Sequence, residues 1–200
     1  QMHAIQTSGN CLRNTTTDQL AGVAIDELED PRPYCEIIRQ WTIFHPEFAY
    51  LPRKFKIAVS GSQQDRAAIR FHDIGLQLVK NDQGEVGFSV FVGGGLGRTP
   101  VIGQVVRPFL EKKHLLSYLE AILRVYNLYG RRDNKYKARI KILVRETGLT
   151  DIRKQIEAEW ALIKDKLELS SERISEIQQQ FTPPAYLANA AQDTSYTDNT

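Results

Sequence analysis

The chain has 200 residues, of which 42% are hydrophobic and 25% are charged, and its formal net charge is +2 at pH 7. This composition is typical of a globular domain with its own core, and no apolar run is long enough to cross a bilayer. A net charge of +2 is too small to indicate binding to the phosphate backbone of a nucleic acid. We therefore predict no nucleic-acid partner, and we also predict no membrane partner.

Cysteine usage limits both the compartment and the metal chemistry. Cys11 and Cys35 lack paired spacing and no secretory signal is visible, which favours a reducing compartment, the cytoplasm. Two thiols cannot complete a four-thiolate site, and the four histidines lie far apart in the sequence. We therefore predict no metal site built by this chain alone.

The first elements of the chain are short and separated by turns. Residues 1–7 alternate as in a strand, and residues 8–14 have the Ser, Gly and Asn content of a loop. Asp18 is suited to cap a helix over residues 18–27, and two prolines precede a second predicted helix over residues 34–41.

The segment 51–59 predicts a strand with two different faces. Strand side chains alternate, so Lys54, Lys56 and Ala58 share one face while three apolar side chains occupy the other. A core-backed strand that holds two ammonium groups side by side would bind an anion. The alternative is an edge strand whose lysines lie in water and discourage association between strands.

A hairpin and then helices are predicted for the rest of the chain. The hairpin strands cover residues 74–80 and 85–92 around a tight turn at 81–84. The predicted helices cover residues 113–129, 137–145, 150–167 and, with a weaker pattern, 171–180. Early strands and late helices favour an α+β fold, with helices packed on a mixed or antiparallel sheet. We assign residues 1–167 to one domain and residues 168–200 to a helical extension with a disordered tail.

Three adjacent glycines, Gly93, Gly94 and Gly95, follow the second hairpin strand and allow three interpretations. A dinucleotide-binding turn needs a helix that begins at the glycines, but Thr99 and Pro100 interrupt any such helix. A stretch without side chains also lets a flat ligand or another backbone lie against the main chain. The third interpretation is an ordinary surface turn.

Several basic residues lie close to glycine-rich or turn-rich segments. Arg13 is suited to bind a carboxylate or an oxyanion through two hydrogen bonds, although a surface arginine is the alternative. Arg139 and Lys141 are either an anion site or a solvated helix face. No nucleophile with a neighbouring base and no pair of carboxylates is evident, so the pattern suits binding of a polycarboxylate or a small oxyanion.

Four segments together resemble the sirohaem-dependent nitrite and sulfite reductases, in the order of that family. They are Thr7-Ser8-Gly9-Asn10-Cys11-Leu12-Arg13-Asn14, Tyr50-Leu51-Pro52-Arg53-Lys54-Phe55-Lys56, residues 87–96 with Val92-Gly93-Gly94-Gly95-Leu96, and residues 131–141. The similarity spans about residues 3–150. It implies that this chain is the first α+β lobe of a fold whose two related halves surround sirohaem. Enzymes of this family reduce sulfite to sulfide or nitrite to ammonia.

The resemblance also implies roles for individual residues. Arg13, Lys54 and Lys56 would face the oxyanion substrate. The residues that would help to hold the sirohaem carboxylates are Arg53, Arg139, Lys141 and the backbone of Gly93, Gly94 and Gly95. Electrons would come from a donor protein or domain through a 4Fe-4S cluster, and the remaining lobes of the parent enzyme would complete the site.

The chain departs from the family in one respect. The family holds its cluster with four cysteines in two pairs, and those residues are absent here. We therefore expect a fragment that alone binds neither the cluster nor sirohaem tightly and has no reductase activity. A non-catalytic anion-binding or protein-interaction module, with the late helices as a docking face, is the alternative, and sulfite and nitrite both stay open as substrates.

Overall fold

The computed structural model describes residues 8–185. The strand predicted for residues 1–7 and the tail predicted for residues 186–200 lie outside the described residues. Within the described part the fold is α+β, a mixed sheet with helices packed on it, which confirms the prediction from the sequence. No helix among residues 8–185 combines the length and the apolar content that a bilayer crossing requires.

The sheet has five strands whose spatial order follows the order of the chain. They are β1 (Leu12–Thr16), β2 (Phe55–Ser60), β3 (Ile74–Lys80), β4 (Val86–Val92) and β5 (Gln104–Glu111). The first three strands are parallel, whereas β3, β4 and β5 are antiparallel neighbours. Five helices accompany them in the described residues: α1 (Arg32–Thr42), α2 (Leu115–Tyr129), α3 (Ile140–Thr147), α4 (Leu149–Ile163) and α5 (Ser171–Gln179).

Strand β2 begins at Phe55, four residues later than predicted, so Lys54 lies directly before it. The two faces of β2 differ as the sequence predicts. Phe55, Ile57 and Val59 are fully buried in the main core, together with apolar residues of α1 and α2. Ala58 lies on the other face and packs into a much smaller cluster with Ile69 and Phe91. The main core therefore fixes β2 from one side and leaves the lysine side close to the surface.

Helix α5 belongs to the same core as the rest of the fold. It lies against α1, and its Ile174 and Ile177 are buried in the main cluster. Ser170 caps the helix by accepting a hydrogen bond from the Arg173 N–H at 3.2 Å. The boundary that we placed at residue 167 stays a prediction, although the segment beyond it shares this core.

Two predictions for the first thirty residues are wrong. Leu12 to Asn14, predicted as part of a loop, begin β1, because pairing with β2 and burial of Leu12 outweigh the local turn composition. Residues 18–27 form turns instead of a helix. Asp18 does accept a hydrogen bond from the Leu20 N–H, but Gly22 has φ +84°, a conformation that ends any helix there.

Other differences concern the second half of the chain. The sequence patterns gave no indication of β5, which contains Pro108 and lies at the edge of the sheet, the position where a strand tolerates proline. Helix α3 begins at Ile140 instead of residue 137, and α4 ends at Ile163 instead of residue 167. The hairpin strands and α2 agree with their predicted positions to within two residues.

Candidate functional site

The candidate residues lie at one end of the sheet. The parallel strands β1, β2 and β3 begin there, and β4 ends there, because Ile74 at the start of β3 pairs with Val92 at the end of β4. Lys54 and Lys56 therefore flank the start of β2, close to the loop that follows β4. The start of α3 lies at the same end of the sheet, because Arg139 directly before it bonds to Asp73 directly before β3.

A basic cleft of about 410 Å³ opens at this end of the sheet. The basic residues that line it are Arg53, Lys54, Arg98, Lys135, Lys137, Arg139, Lys141 and Arg145. No acidic residue of the described part is among the lining residues. This basic cleft therefore concentrates positive charge in a protein whose overall charge is close to zero.

Lys54 shows the electrostatic consequence of this crowding. Burial is the main reason why the pKa of Lys54 is lowered, and the neighbouring cations Lys56, Arg13 and Arg139 lower it further. Asp73 opposes the shift. An ammonium group in these surroundings gains from a bound anion, and it gives up its proton more readily than a solvated lysine does.

Asp73 is a buried carboxylate that the sequence interpretation missed. It is 1% exposed, and its Oδ1 accepts hydrogen bonds from Nη2 and Nε of Arg139 at 2.7 and 3.1 Å. Its Oδ2 accepts the backbone N–H of Lys56 at 3.0 Å. Burial raises the pKa of Asp73, while the Arg139 guanidinium acts in the opposite direction. The sequence signal, an acidic residue directly before β3, gains meaning only once β2 and β3 are known to be parallel neighbours.

Lys141 is committed to the loop that follows the glycines. Its ammonium group donates hydrogen bonds to the carbonyl oxygens of Leu96 and Thr99, at 3.2 and 2.5 Å. Lys141 is 7% exposed, and this burial, with Arg139 nearby, lowers its pKa. Lys141 therefore joins α3 to the loop at the rim of the basic cleft. Arg139 joins the start of α3 to Asp73 at the start of β3.

The three glycines are buried against other parts of the chain. Gly93 has φ +80°, a conformation that favours glycine. A Cβ on Gly94 would collide with the carbonyl oxygens of Arg70 and His72, and one on Gly95 would touch Arg139. At Gly94 the missing side chain therefore allows the backbone of Arg70 and His72 to approach closely.

The dinucleotide interpretation of this loop is wrong. It requires a helix at the glycines, whereas residues 96–103 contain no helix. Gly95 instead pairs with Val101 through two backbone hydrogen bonds of 2.9 Å. The loop therefore does not itself begin a helix whose N-terminus could bind a pyrophosphate, as the dinucleotide fingerprint requires.

The predicted residues are brought together to different degrees. Arg53, Lys54, Arg139 and Lys141 line the basic cleft itself. Lys56 and Arg13 lie beside it and not among its lining residues. Arg13 lies in β1 at the irregularity between Leu12 and Asn14, and its Nε donates to the Gly9 carbonyl oxygen at 3.0 Å. The sequence interpretation missed four outer basic residues, Arg98, Lys135, Lys137 and Arg145, which looked like ordinary surface charges.

The two cysteines are thiols that lie outside any metal-binding group of the described residues. Burial raises the pKa of the Cys35 thiol to about 12, and it also raises the pKa of Cys11. Both side chains are therefore weak nucleophiles near neutral pH. Residues 8–185 contain no group of three or more side chains that could hold a metal ion.

Comparison with known proteins adds independent information. A family model described as "Nitrite and sulphite reductase 4Fe-4S domain" matches residues 8–164. Sulfite reductase (ferredoxin) 1 of Mycolicibacterium paratuberculosis is 33% identical over 159 residues, which cover 80% of this chain and 28% of that protein. Ferredoxin–nitrite reductase of Leptolyngbya laminosa is 30% identical over 159 residues, which cover 77% of this chain and 31% of that protein.

Solved structures agree with these matches. The NirA protein of Mycobacterium tuberculosis superimposes with a TM-score of 0.72 at 33% identity, over 78% of this chain and 28% of that one. Dissimilatory sulfite reductase I gives a TM-score of 0.61 at 11% identity, over 94% of this chain and 58% of that one, a likeness of fold alone. The chain spans less than a third of the length of the two curated reductases above.

Proposed function

Because this chain belongs to the nitrite and sulphite reductase 4Fe-4S domain family, we propose that it is the lobe that supplies positive charge to the oxyanion and sirohaem site of such an enzyme. The observation that carries the proposal is the basic cleft, where eight cationic side chains and no carboxylate of the described part line about 410 Å³. A cavity of this composition suits a ligand with several negative charges.

We assign the oxyanion to Lys54, Lys56 and Arg13. Fixed cations bind a small oxyanion and stabilise the charge that develops on its oxygens. Lys54 has a lowered pKa and is therefore the best proton donor among these residues for an oxygen that leaves as water. Arg13 offers a planar set of N–H donors suited to an oxyanion, so its role is to bind and to orient.

The remaining cations fit the carboxylates of sirohaem. When bound, sirohaem would supply the iron and the electron transfer that convert sulfite to sulfide or nitrite to ammonia. Arg53 lines the basic cleft without a side-chain hydrogen bond in the described part of the chain, so its guanidinium is free to bind a carboxylate. Arg139 and Lys141 already have internal partners and would contribute mainly by holding the cleft in shape.

The residues of this chain do not fit an iron–sulfur cluster. The chain has two cysteines where a 4Fe-4S cluster needs four ligands, and residues 8–185 contain no group of three or more side chains that could hold a metal ion. We therefore assign no step to a cluster and propose that the chain alone binds sirohaem weakly and lacks reductase activity. A full complement of sirohaem in the visible spectrum, after purification from cells that make it, would contradict this part of the proposal.

The oxyanion assignment is tested by NMR titration of the 200-residue chain with sulfite and with nitrite. We expect amide shifts centred on residues 54–56 and on Arg13, and roughly threefold or greater weakening in Lys54→Met or Lys56→Met, since each removes one fixed charge. Lys80→Met, at the far end of β3, is the matched control and should bind as the unmodified chain does. Shifts that avoid residues 54–56 would refute the assignment.

The role in turnover is tested in a complete reductase that contains this lobe. Lys54→Met or Lys56→Met should depress turnover while the protein stays folded, because both proton donation and anion binding are weakened. Unchanged rates in both variants would remove these lysines from the site. The names of the two curated relatives specify ferredoxin, and we extend that donor class to the proposed enzyme. The cytoplasmic location stays a prediction from cysteine usage.

A non-catalytic interaction module is the second candidate. Leu128 on α2 and Leu162 on α4 are 73% and 68% exposed and line one groove, as a docking face on the late helices would require. The reading frame beyond Thr200 separates the two candidates. Continuation into a chain with four cluster cysteines supports the reductase, and a native stop codon supports the module.

A further inference from the structure

We infer that Asp73 is the positioning residue of the oxyanion site, holding in register the three segments on which the cations of the basic cleft depend. This inference rests on the proposed function, because the register matters chemically only if an anion binds there. The segments are the start of β2, the start of α3 and the glycine loop after β4.

Each segment is attached to Asp73 by a separate atom. The carboxylate Oδ2 accepts the Lys56 backbone N–H, and Oδ1 accepts two N–H groups of the Arg139 guanidinium. The backbone carbonyl oxygen of Asp73 accepts the N–H of Gly93 at 3.0 Å. One buried residue thus contacts strand β2, which carries Lys56 and directly follows Lys54. It also contacts Arg139, directly before the helix that carries Lys141, and the glycine turn at Gly93.

The chemistry of these contacts requires a carboxylate. Each side-chain oxygen receives N–H donors from a different segment, and an ionised carboxylate accepts at both oxygens. An asparagine would direct its own N–H₂ group at one of these donors. Arg139 would then turn its unpaired charge toward the basic cleft, or the Lys56 backbone would lose its anchor.

Asp73 also moderates the charge that Lys54 experiences. The cations that face Lys54 are Lys56, Arg13 and Arg139, and Asp73 is the acidic group among its neighbours. By pairing with Arg139, Asp73 offsets one of these cations without taking up any of the surface that an anion would occupy. The position of the Lys56 backbone and the protonation state of Lys54 therefore both depend on Asp73.

The experiment follows the Lys54 ammonium and the Lys56 amide by NMR during pH titration of the 200-residue chain. In Asp73→Asn we expect the Lys54 pKa to fall, because its one acidic neighbour is lost while three cations remain. In the double variant Asp73→Asn/Arg139→Gln it should return toward the unmodified value, because opposing charges are removed together. Asp26→Asn, which breaks the Asp26–Arg66 pair elsewhere, is the matched control and should leave Lys54 unchanged.

A role in packing alone would give a different result. A packing role predicts that the double variant shifts the Lys54 pKa at least as far as Asp73→Asn does. That outcome would overturn the inference. An unchanged Lys54 pKa in folded Asp73→Asn would overturn it as well. If the single variant does not fold, the unmodified chain still decides, because the Lys56 amide proton must shift in step with the Asp73 carboxyl carbon as the pH falls. Independent titration of the two signals would refute the inference.

Sulfite titration of the unmodified chain separates this inference from the proposed function. If sulfite leaves residues 54–56 unshifted, the oxyanion assignment fails, whereas the Lys54 and Lys56 titrations still establish or refute the positioning by Asp73. If sulfite binds there, binding in the double variant should lie closer to the unmodified chain than binding in Asp73→Asn does. The reverse order would count against Asp73.

Discussion

Replacement of Gly94 by alanine tests why three glycines follow β4. An added Cβ at Gly94 would lie 2.5 Å from the carbonyl oxygen of His72 and closer still to that of Arg70. Both obstacles are backbone atoms, so no side chain can rotate away. The segment around Arg70 or the glycine loop itself must therefore move.

The cost follows from the size of that movement. Restoring a normal carbon–oxygen contact requires a shift of about 1 Å in packed backbone, and such overpacking costs about 1–3 kcal/mol. Alanine also gains about 0.4–1 kcal/mol over glycine by restricting the unfolded chain. We expect a net loss of about 1 kcal/mol in the free energy of unfolding, or about 2–4 °C in Tm for a domain of this size.

Gly103 provides the matched control, because a Cβ there would approach the same Arg70 oxygen but stop at 3.2 Å. Gly103→Ala should change the free energy of unfolding by less than about 0.5 kcal/mol, since the entropy gain offsets a slight crowding. Urea unfolding monitored by the fluorescence of Trp41 and Trp160 measures both variants. Equal stability of Gly94→Ala and Gly103→Ala would refute the close-approach explanation.

Three further predictions concern the pH response and the core. Nitrite affinity should fall as the pH rises through the lowered pKa of Lys54, because the ammonium charge is lost there, and isothermal titration in Lys54→Met should show this step removed. Ile177→Ala should lower the free energy of unfolding by about 3 kcal/mol, and the exposed control Ser175→Ala by little, if α5 belongs to the domain core. Tyr126→Phe should cost about 1 kcal/mol by thermal unfolding, because the buried hydroxyl donates to the Ala138 carbonyl oxygen at 2.8 Å.

Local sequence signals account for the parts of the fold that were predicted well. The turn between β3 and β4 is specified by its own residues, because Asn81 Oδ1 accepts the N–H groups of Gln83 and Glu85, and Gly84 adopts φ +82°. Helix α2 combines apolar periodicity with Gly130 as its end signal. Such elements can be predicted because their specifying contacts lie within a few residues.

Elements that depend on distant partners were missed. Strand β1 acquires its conformation from parallel pairing with β2, about forty residues away, and β5 from β4. The turns at residues 18–27 depend on contacts with later residues, including the ion pair between Asp26 and Arg66. No local pattern shows such contacts, and propensity alone favoured a helix and a loop.

The same distinction applies to the candidate site. The alternation along residues 54–58 and the resemblance of four segments to a reductase family are enough to predict Lys54, Lys56 and Arg139 from the sequence. Asp73 was not found because its importance arises from the register between two parallel strands. The outer cations of the cleft were missed because two separate loops and the end of α3 bring them together.

The hairpin turn at residues 81–84 offers a chemical handle remote from the cleft. It closes the opposite end of the sheet, about 20 Å of strand away from the start of β3. Both native thiols have raised pKa values and are poor nucleophiles near neutral pH, so a cysteine at exposed Gln83 would react first with a maleimide dye. A fluorophore or a biotin tether attached there would allow immobilisation and single-molecule measurement while the end that carries the basic cleft stays free.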